Sequence, residues 1–255
     1  MSTSTAKPQD PRGAIRAFFL LDGFVRLFIW YSSAALTLAA FNAWIPWPAG
    51  SPIGGNLGMT WEWGCRFSHL VLVFNVLYLA HLLVMRLLIP TPKEGRYTFV
   101  DKGLRLHLVW AGLIATIIRA RYYPPFPGFL VYHIANLPPI CWLVTRILGP
   151  KSKSCFPLDP PIPDPDFVEI GRNVTIGYST SLTSHIQDRE GVTVAKIVVE
   201  DDVMIGAEVL IYGGCTIKRG ALIYGGSVVR PNTVIGENEA WGGVPARKIK
   251  DMPPA

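Results

Sequence analysis

Residues 197–238 read, in sixes, IVVEDD, VMIGAE, VLIYGG, CTIKRG, ALIYGG, SVVRPN and TVIGEN, and two further blocks, VEIGRN and VTIGYS, begin at Val168 and Val174. The first position of each block is Ile, Val, Cys, Ala, Ser or Thr, so it is small or β-branched. The third is aliphatic throughout: Ile170, Ile176, Val199, Ile205, Ile211, Ile217, Ile223, Val229 and Ile235. Gly recurs at the fourth, at Gly171, Gly177, Gly206 and Gly236. A period of six fits neither a helix nor a strand carried to its end. It fits a short strand plus a turn, with two inward residues per block and Gly expected to supply the turn's backbone angles. Three blocks would close one triangular coil of a parallel β-helix. About three coils make a thin core, which predicts association with other copies.

The repeat is broken once. Blocks starting at 168 and 174 are out of phase with those from 197 onward, and between them TSLTSHIQDREGVTVAK carries His185, the only histidine of this half. Further on come IYGGSVV at 223–229 and GGVPARKIK at 242–250. With these features residues 168–250 resemble the hexapeptide-repeat acyltransferases, in the maltose, galactoside and xenobiotic O-acetyltransferase branch. The resemblance implies that the coil is left-handed, against the usual right-handed crossover. It also implies CoA-dependent acyl transfer, with acetyl-CoA or another acyl-CoA as donor substrate, no permanently bound cofactor, no metal, and a homotrimer with sites between neighbouring subunits.

Acyl transfer from a thioester needs a base for the proton of the incoming hydroxyl or amine, and imidazole, with an ordinary pKa of about 6.5, suits that task. His185, in the interrupting loop, is the candidate, with Asp188 or Glu190 as side chains that could orient its ring or meet the acceptor. By resemblance, Gly206, Ala207, Gly225 and Gly226 would line the groove for the pantetheine arm. Arg247 and Lys250 would hold the nucleotide phosphates, where several negative charges need cations. Two departures stand out. Arg230-Pro231 replaces the family's Thr-Lys, which moves a phosphate contact to Arg230, and Met204 replaces a Trp beside the acyl group, which leaves the donor's chain length open.

The N-terminal part is of another kind. Half of the 255 residues are hydrophobic, the net charge is +6, and the mean hydropathy of +0.31 is that of a membrane protein. Basic residues flank apolar stretches and form no nucleic-acid footprint. Cys65, Cys141, Cys155 and Cys215 show no paired spacing, which argues against a disulfide framework or a zinc site; Cys215 takes an inward repeat position. From Leu27 to Trp61 no side chain is charged, and FSHLVLVFNVLYLAHLLVM lies between Arg66 and Arg86. About 20 apolar residues cross a bilayer, so spans are expected at about 27–47 and 67–89. Trp44, Trp47, Trp61 and Trp63 would mark an interfacial belt where they join.

Lys7, Arg12, Arg16 and Arg26 precede the first span; Arg86, Lys93, Arg96, Lys102 and Arg105 follow the second; the connection carries only Glu62 and Arg66. Positive-inside logic puts both termini in the cytoplasm. Segment 104–121 is too short to span untilted and 128–148 is rich in proline, so both suit interfacial or re-entrant helices better than free spans; if both crossed, the even count would still leave the C-terminal domain in the cytoplasm. His69, His81, His107 and His133 are read as helix-contact or groove residues, none as a metal ligand.

The expected organisation is therefore an α-helical membrane region over 1–150, a stiff Pro-rich linker over 151–167 and an all-β left-handed parallel β-helix over 168–250. The expected protein is an integral protein of a bacterial inner membrane with a cytoplasmic acyltransferase domain. The anchor suggests a membrane-associated acceptor such as a lipid-linked sugar, a lipid or a surface polymer. Two other readings compete: a γ-type carbonic anhydrase, which needs three zinc-binding histidines, and a trimeric scaffold without chemistry.

Overall fold

A backbone that bends every six residues, with two side chains turned inward per block, closes into a three-sided coil. The computed structural model, which describes residues 11–44, 57–88, 93–98, 130–153 and 162–254, has that coil. Its first side stacks β3 (Val168–Ile170), β8 (Ile197–Val199), β11 (Thr216–Ile217) and β14 (Val234–Ile235) in parallel, and β2 (Lys151–Ser152) extends the upper edge. The second stacks β4 (Thr175–Ile176), β9 (Met204–Ile205), β12 (Leu222–Ile223) and β15 (Glu239–Gly243), closed by antiparallel β16 (Ala246–Asp251). The third stacks β5 (Ser181–Thr183), β10 (Leu210–Tyr212) and β13 (Val228–Val229).

Partners across neighbouring coils lie 18 residues apart, as in Ile217 with Ile235, Ile205 with Ile223 and Ile211 with Val229. Three blocks therefore make one coil. In the first coil the offset is 29, as in Ile170 with Val199 and Leu182 with Ile211; eleven extra residues enter there. Two blocks join the nine counted from sequence, one from Thr180 through buried Leu182 and one from Glu239 through Trp241.

The inward first and third positions, from Val168 to Ile235, form one buried cluster that includes Cys215. Where an inward residue is polar, it is satisfied. Thr180 Oγ1 donates to Gly206 O at 2.7 Å and accepts from Val209 N at 3.1 Å. Ser227 Oγ donates to Tyr224 O at 2.5 Å and accepts from Gly243 N at 3.1 Å. Unpaired, either hydroxyl would cost ~1–3 kcal/mol.

The turn chemistry corrects the expectation for glycine. The left-handed backbone falls on the sixth position of every counted block: Asn173, Ser179, Asp202, Glu208, Gly214, Gly220, Gly226, Asn232 and Asn238 all have positive φ. Asn and Asp tolerate that region better than most side chains. Fourth-position Gly171, Gly177 and Gly206 answer a different need, the closeness of the next coil, while Gly236 leaves room for the Glu239 carboxylate. A Cβ on Gly171 would lie 2.6 Å from Asp201 N, and one on Gly206 2.5 Å from Gly225 N.

In the N-terminal region α1 (Pro11–Trp44) and α2 (Leu57–Leu88) are both long and apolar enough to cross a membrane over Leu20–Ala43 and Thr60–Leu88. Glu62 and Arg66, expected in the connection, ride on α2 instead, with Trp61 and Trp63. Trp47 lies outside the described residues. Ile29 of α1 packs with Phe74, Tyr78 and Leu82 of α2, and Ser33 Oγ meets His81 Nδ1 at 2.9 Å across the pair, so His81 is a helix contact. Leu20, Phe24, Leu27, Leu72 and Val84 face outward.

Of the doubtful segments, 104–121 lies outside the described residues, and so does His107. The other forms α3 (Val131–Ala135), which carries an exposed His133, and α4 (Pro138–Leu148). Pro138 and Pro139 start α4, where a missing N–H costs nothing. One face of α4, with Val144 and Leu148, buries against α2; Trp142 stays exposed, with Arg146 5.5 Å over its ring. Cys141 is disulfide-bonded, contrary to the expectation of unpaired thiols, while Cys65 and Cys215 are free. Its partner lies outside the described residues.

The expected spacer is not a spacer where it is described. Lys151–Ser152 is already a strand of the coil, Ile162 is buried in the coil's core, and Pro165–Phe167 forms a 3-10 turn. Asp166 in that turn pairs with Arg86, in the last turn of α2. The two regions therefore touch.

Candidate functional site

The eleven inserted residues fold into a hairpin. β6 (His185–Gln187) pairs antiparallel with β7 (Gly191–Val194), so His185 opens a strand rather than sitting in a loop. Asp188 makes the turn, its Oδ1 accepting from Glu190 N at 2.8 Å and Gly191 N at 2.9 Å, the habit of Asp in tight turns. On the far side of β7 lies β1 (Gly95–Thr98), from the stretch just after α2, in antiparallel register from Gly95–Val194 to Thr98–Gly191.

β1 grips the hairpin. Arg96 Nη1 donates to Asp188 Oδ2 at 2.5 Å and to Thr193 Oγ1 at 2.9 Å, while its Nη2 reaches Asp188 Oδ1 at 3.0 Å and Glu190 Oε2 at 3.5 Å. Glu94 Oε2 accepts from Lys196 N at 3.0 Å, and Tyr97 packs on Phe167, Val192 and Val194. The Arg96 guanidinium, helped by the two turn amides, holds the Asp188 carboxyl down at about 2.

Asp188 is therefore held by Arg96, which the exposed Glu190 also meets at 3.5 Å, and the carboxylate found beside the His185 ring is neither of these. Asp164 Oδ2 lies 2.6 Å from His185 Nδ1 and accepts from Ser184 N at 3.2 Å. The carboxylate is nearly buried, 17% exposed, while the imidazole is 46% exposed. A carboxylate on Nδ1 favours the tautomer with its proton there, so Nε2 carries the basic lone pair. Sequence reasoning placed Asp164 in a spacer. Counting back six from Val168 reaches the inward Ile162 and puts Asp164 at a third position, where the nine counted blocks carry an aliphatic residue. That break in the pattern was the available signal.

The donor candidates divide between two corners. Gly206, Ala207, Gly225 and Gly226 lie together at the corner between the second and third sides, where Gly226 N donates to Ala207 O at 2.9 Å. Arg247, opposite Gly242 in β16, belongs to the same corner, and Lys250, opposite Ala240, lies farther along that strand. Lys248 holds Glu239 at 2.8 Å and Asp251 at 2.6 Å. The Lys248 ammonium, then the Trp241 indole, keep the Glu239 carboxyl at about 2. Met204 is exposed on this side, as are Tyr178, Tyr224 and Ile249.

Arg230 is elsewhere. It follows Val229, the partner of Ile211, at the corner from which the His185 hairpin leaves. His185 and Arg230 thus share one corner, and the glycine group with Arg247 occupies the next. The third side between them is about five residues long, roughly 15 Å at strand rise.

No protein-family model matches the chain. It is 30% identical over 130 residues, 48% of its length, to YvoF of Bacillus subtilis strain 168, a protein named as an acetyltransferase, and spans 74% of that protein. With mitochondrial γ carbonic anhydrase 1 of Arabidopsis thaliana it shares 36% identity over 83 residues, 32% of this chain but only 26% of the plant protein. Among solved structures, galactoside acetyltransferase in complex with coenzyme A aligns at 18% identity and a TM-score of 0.41, over 63% of this chain and 88% of that one. The hexapeptide-repeat acetyltransferase VCA0836 of Vibrio cholerae, complexed with acetyl coenzyme A, aligns at 22% and 0.39, over 55% and 86%.

Proposed function

We propose, for a chain that belongs to the hexapeptide-repeat acetyltransferases, that it is a membrane-anchored transferase moving an acetyl group from acetyl-CoA to a hydroxyl or amine of a membrane-associated acceptor. The observation that carries the reading is the 2.6 Å pair of His185 Nδ1 with Asp164, at the one break in a regular coil.

In the reaction, Nε2 takes the proton of the acceptor hydroxyl or amine as its oxygen or nitrogen attacks the thioester carbonyl. The C–S bond then breaks, and the departing CoA sulfur receives that proton from the imidazolium. Asp164 stabilises the imidazolium in between. The pantetheine arm lies along the backbone of Gly206, Ala207, Gly225 and Gly226, with Arg247 and Lys250 on the phosphates; Arg230 serves a neighbouring donor or the acceptor.

Within one chain the glycine corner and His185 occupy different corners, about 15 Å apart at strand rise. A homotrimer of left-handed coils places the His185 corner of one copy beside the glycine corner of the next, and the exposed Tyr178, Met204 and Tyr224 would be covered there. α1 and α2 cross the bilayer with the coil on the cytoplasmic side, where acyl-CoA is made. The disulfide at Cys141 weighs against that side, since cytosolic disulfides are rare. Labelling of an Asn232→Cys variant in intact cells by an impermeant thiol reagent decides it, and ready labelling would reverse the topology.

A carbonic anhydrase reading has the partial plant likeness in its favour, but three zinc-binding histidines are not available to a repeat region whose one histidine is His185. Incubating the membrane-embedded protein with labelled acetyl-CoA and lipid extract tests the proposal. The expected result is a labelled amphiphile with wild type and none with His185→Ala. An intact trimer that binds no acetyl-CoA would favour a scaffold instead.

A further inference from the structure

We propose that the membrane region is part of the catalytic apparatus: β1, through Arg96, is a positioning element that holds the His185 hairpin in its working place. The proposal rests on the acyl-transfer reading of His185 and goes beyond it, because nothing in that chemistry requires residues outside the coil.

A hairpin of two short strands is marginal by itself in water. Its backbone returns to the coil where Ala195 N donates to Ser184 O at 3.0 Å, and beyond that Val192 and Val194 share one small apolar cluster with Phe167 and Tyr97. Its third strand comes from the segment after α2, nearly a hundred residues earlier, and His185 is registered opposite Val194, which is itself registered opposite Gly95. Arg96 ties the turn through Asp188 and the strand through Thr193 at once. Gly191 has no room for a side chain, because a Cβ there would strike the Tyr97 carbonyl. A second tie runs from Arg86 at the end of α2 to Asp166, two residues beyond the Asp164 that holds the imidazole. The carboxylate on His185 is thus fastened to the end of α2, and the hairpin strand to the segment just after it, by different residues. The donor groove, made of coil backbone and β16, has no such tie among the described residues.

The division of labour is testable. Removing Arg96 should misplace the base and leave the donor groove intact, and a shift of about 1 Å at a reacting group can cost roughly 100-fold. In the full-length, membrane-embedded protein, Arg96→Ala should lower kcat about 10- to 100-fold. Its acetyl-CoA Kd should stay within about twofold of wild type, since no donor contact is lost. Because the arginine could instead touch the acceptor or simply help folding, a second variant replaces it by a covalent link. Arg96 and Thr193 are registered partners, at a separation that suits a cross-strand disulfide. Arg96→Cys/Thr193→Cys should turn over at near wild-type rate when oxidised and fall to the Arg96→Ala rate when reduced, with wild type under the same reductant as control.

A normal kcat for Arg96→Ala overturns the proposal. So does an oxidised double-cysteine variant that stays slow, because the guanidinium would then act directly. His185→Ala in the same assay reports on the underlying reading. If it is inactive while Arg96→Ala is normal, only the brace fails; if it turns over normally, the base assignment fails.

Discussion

The coil and the hairpin that interrupts it follow opposite rules. In the coil each block repeats its neighbour's solution: an aliphatic residue inward at the third position, a left-handed residue at the sixth, a glycine where the next coil comes close. Its partners lie one coil away, so a defect is felt by nearest neighbours. In the hairpin the turn at Asp188 is local, but the contacts that hold the site are not. His185 depends on Asp164, Asp188 on Arg96, and Lys196 on Glu94. Local repetition gives a rigid frame, and long-range contacts make one place on it different.

The largest expected effect lies in the hairpin. His185→Ala should remove about 10²- to 10⁴-fold of turnover with acetyl-CoA affinity unchanged, read by steady-state rates beside equilibrium binding. Near-normal turnover would break the distinction between frame and site. The coil should answer in stability instead. Ile211→Ala deletes a fully buried side chain and should cost about 2–5 kcal/mol, read as a lower melting temperature, while kcat at a permissive temperature barely changes.

Asp164→Asn sharpens the contrast, because it alters the hairpin's chemistry while keeping its shape. The amide can no longer stabilise the imidazolium and favours the wrong tautomer, so turnover should fall by as much as about 10⁴-fold, as in other carboxylate-supported histidines. Rescue at higher pH should be incomplete. Arg247→Ala should do the reverse of His185→Ala, weakening donor binding by about tenfold for one lost charge-assisted contact with little effect at saturating donor.

The smallest effect is on pH dependence. Asp188 and Glu239 are both held at about 2, below the unfolded carboxyl values of about 4. Their contribution is present above pH ~4 and lost as pH falls through ~2, because the unfolded state takes up protons first. Hydrogen exchange should therefore show the hairpin and β16 protected down to about pH 4 and released together below it. Release of the hairpin near neutral pH would mean that Arg96 does not hold it.

The sequence by itself determined the coil, because six-residue periodicity is a local property: each inward Ile or Val and each turn residue can be read within one block. It determined two apolar helices for the same reason, as length and composition suffice. It also pointed to His185, through the break in phase. Only the tertiary structure decided which carboxylate serves that histidine, where the hairpin finds its third strand, and that Arg230 sits apart from the glycine corner. Asp164 is 21 residues from His185 and Arg96 is 92 from Asp188. No period links such pairs. They meet because the coil fixes one partner in space and the helical region delivers the other, and burial and charge then select the contact.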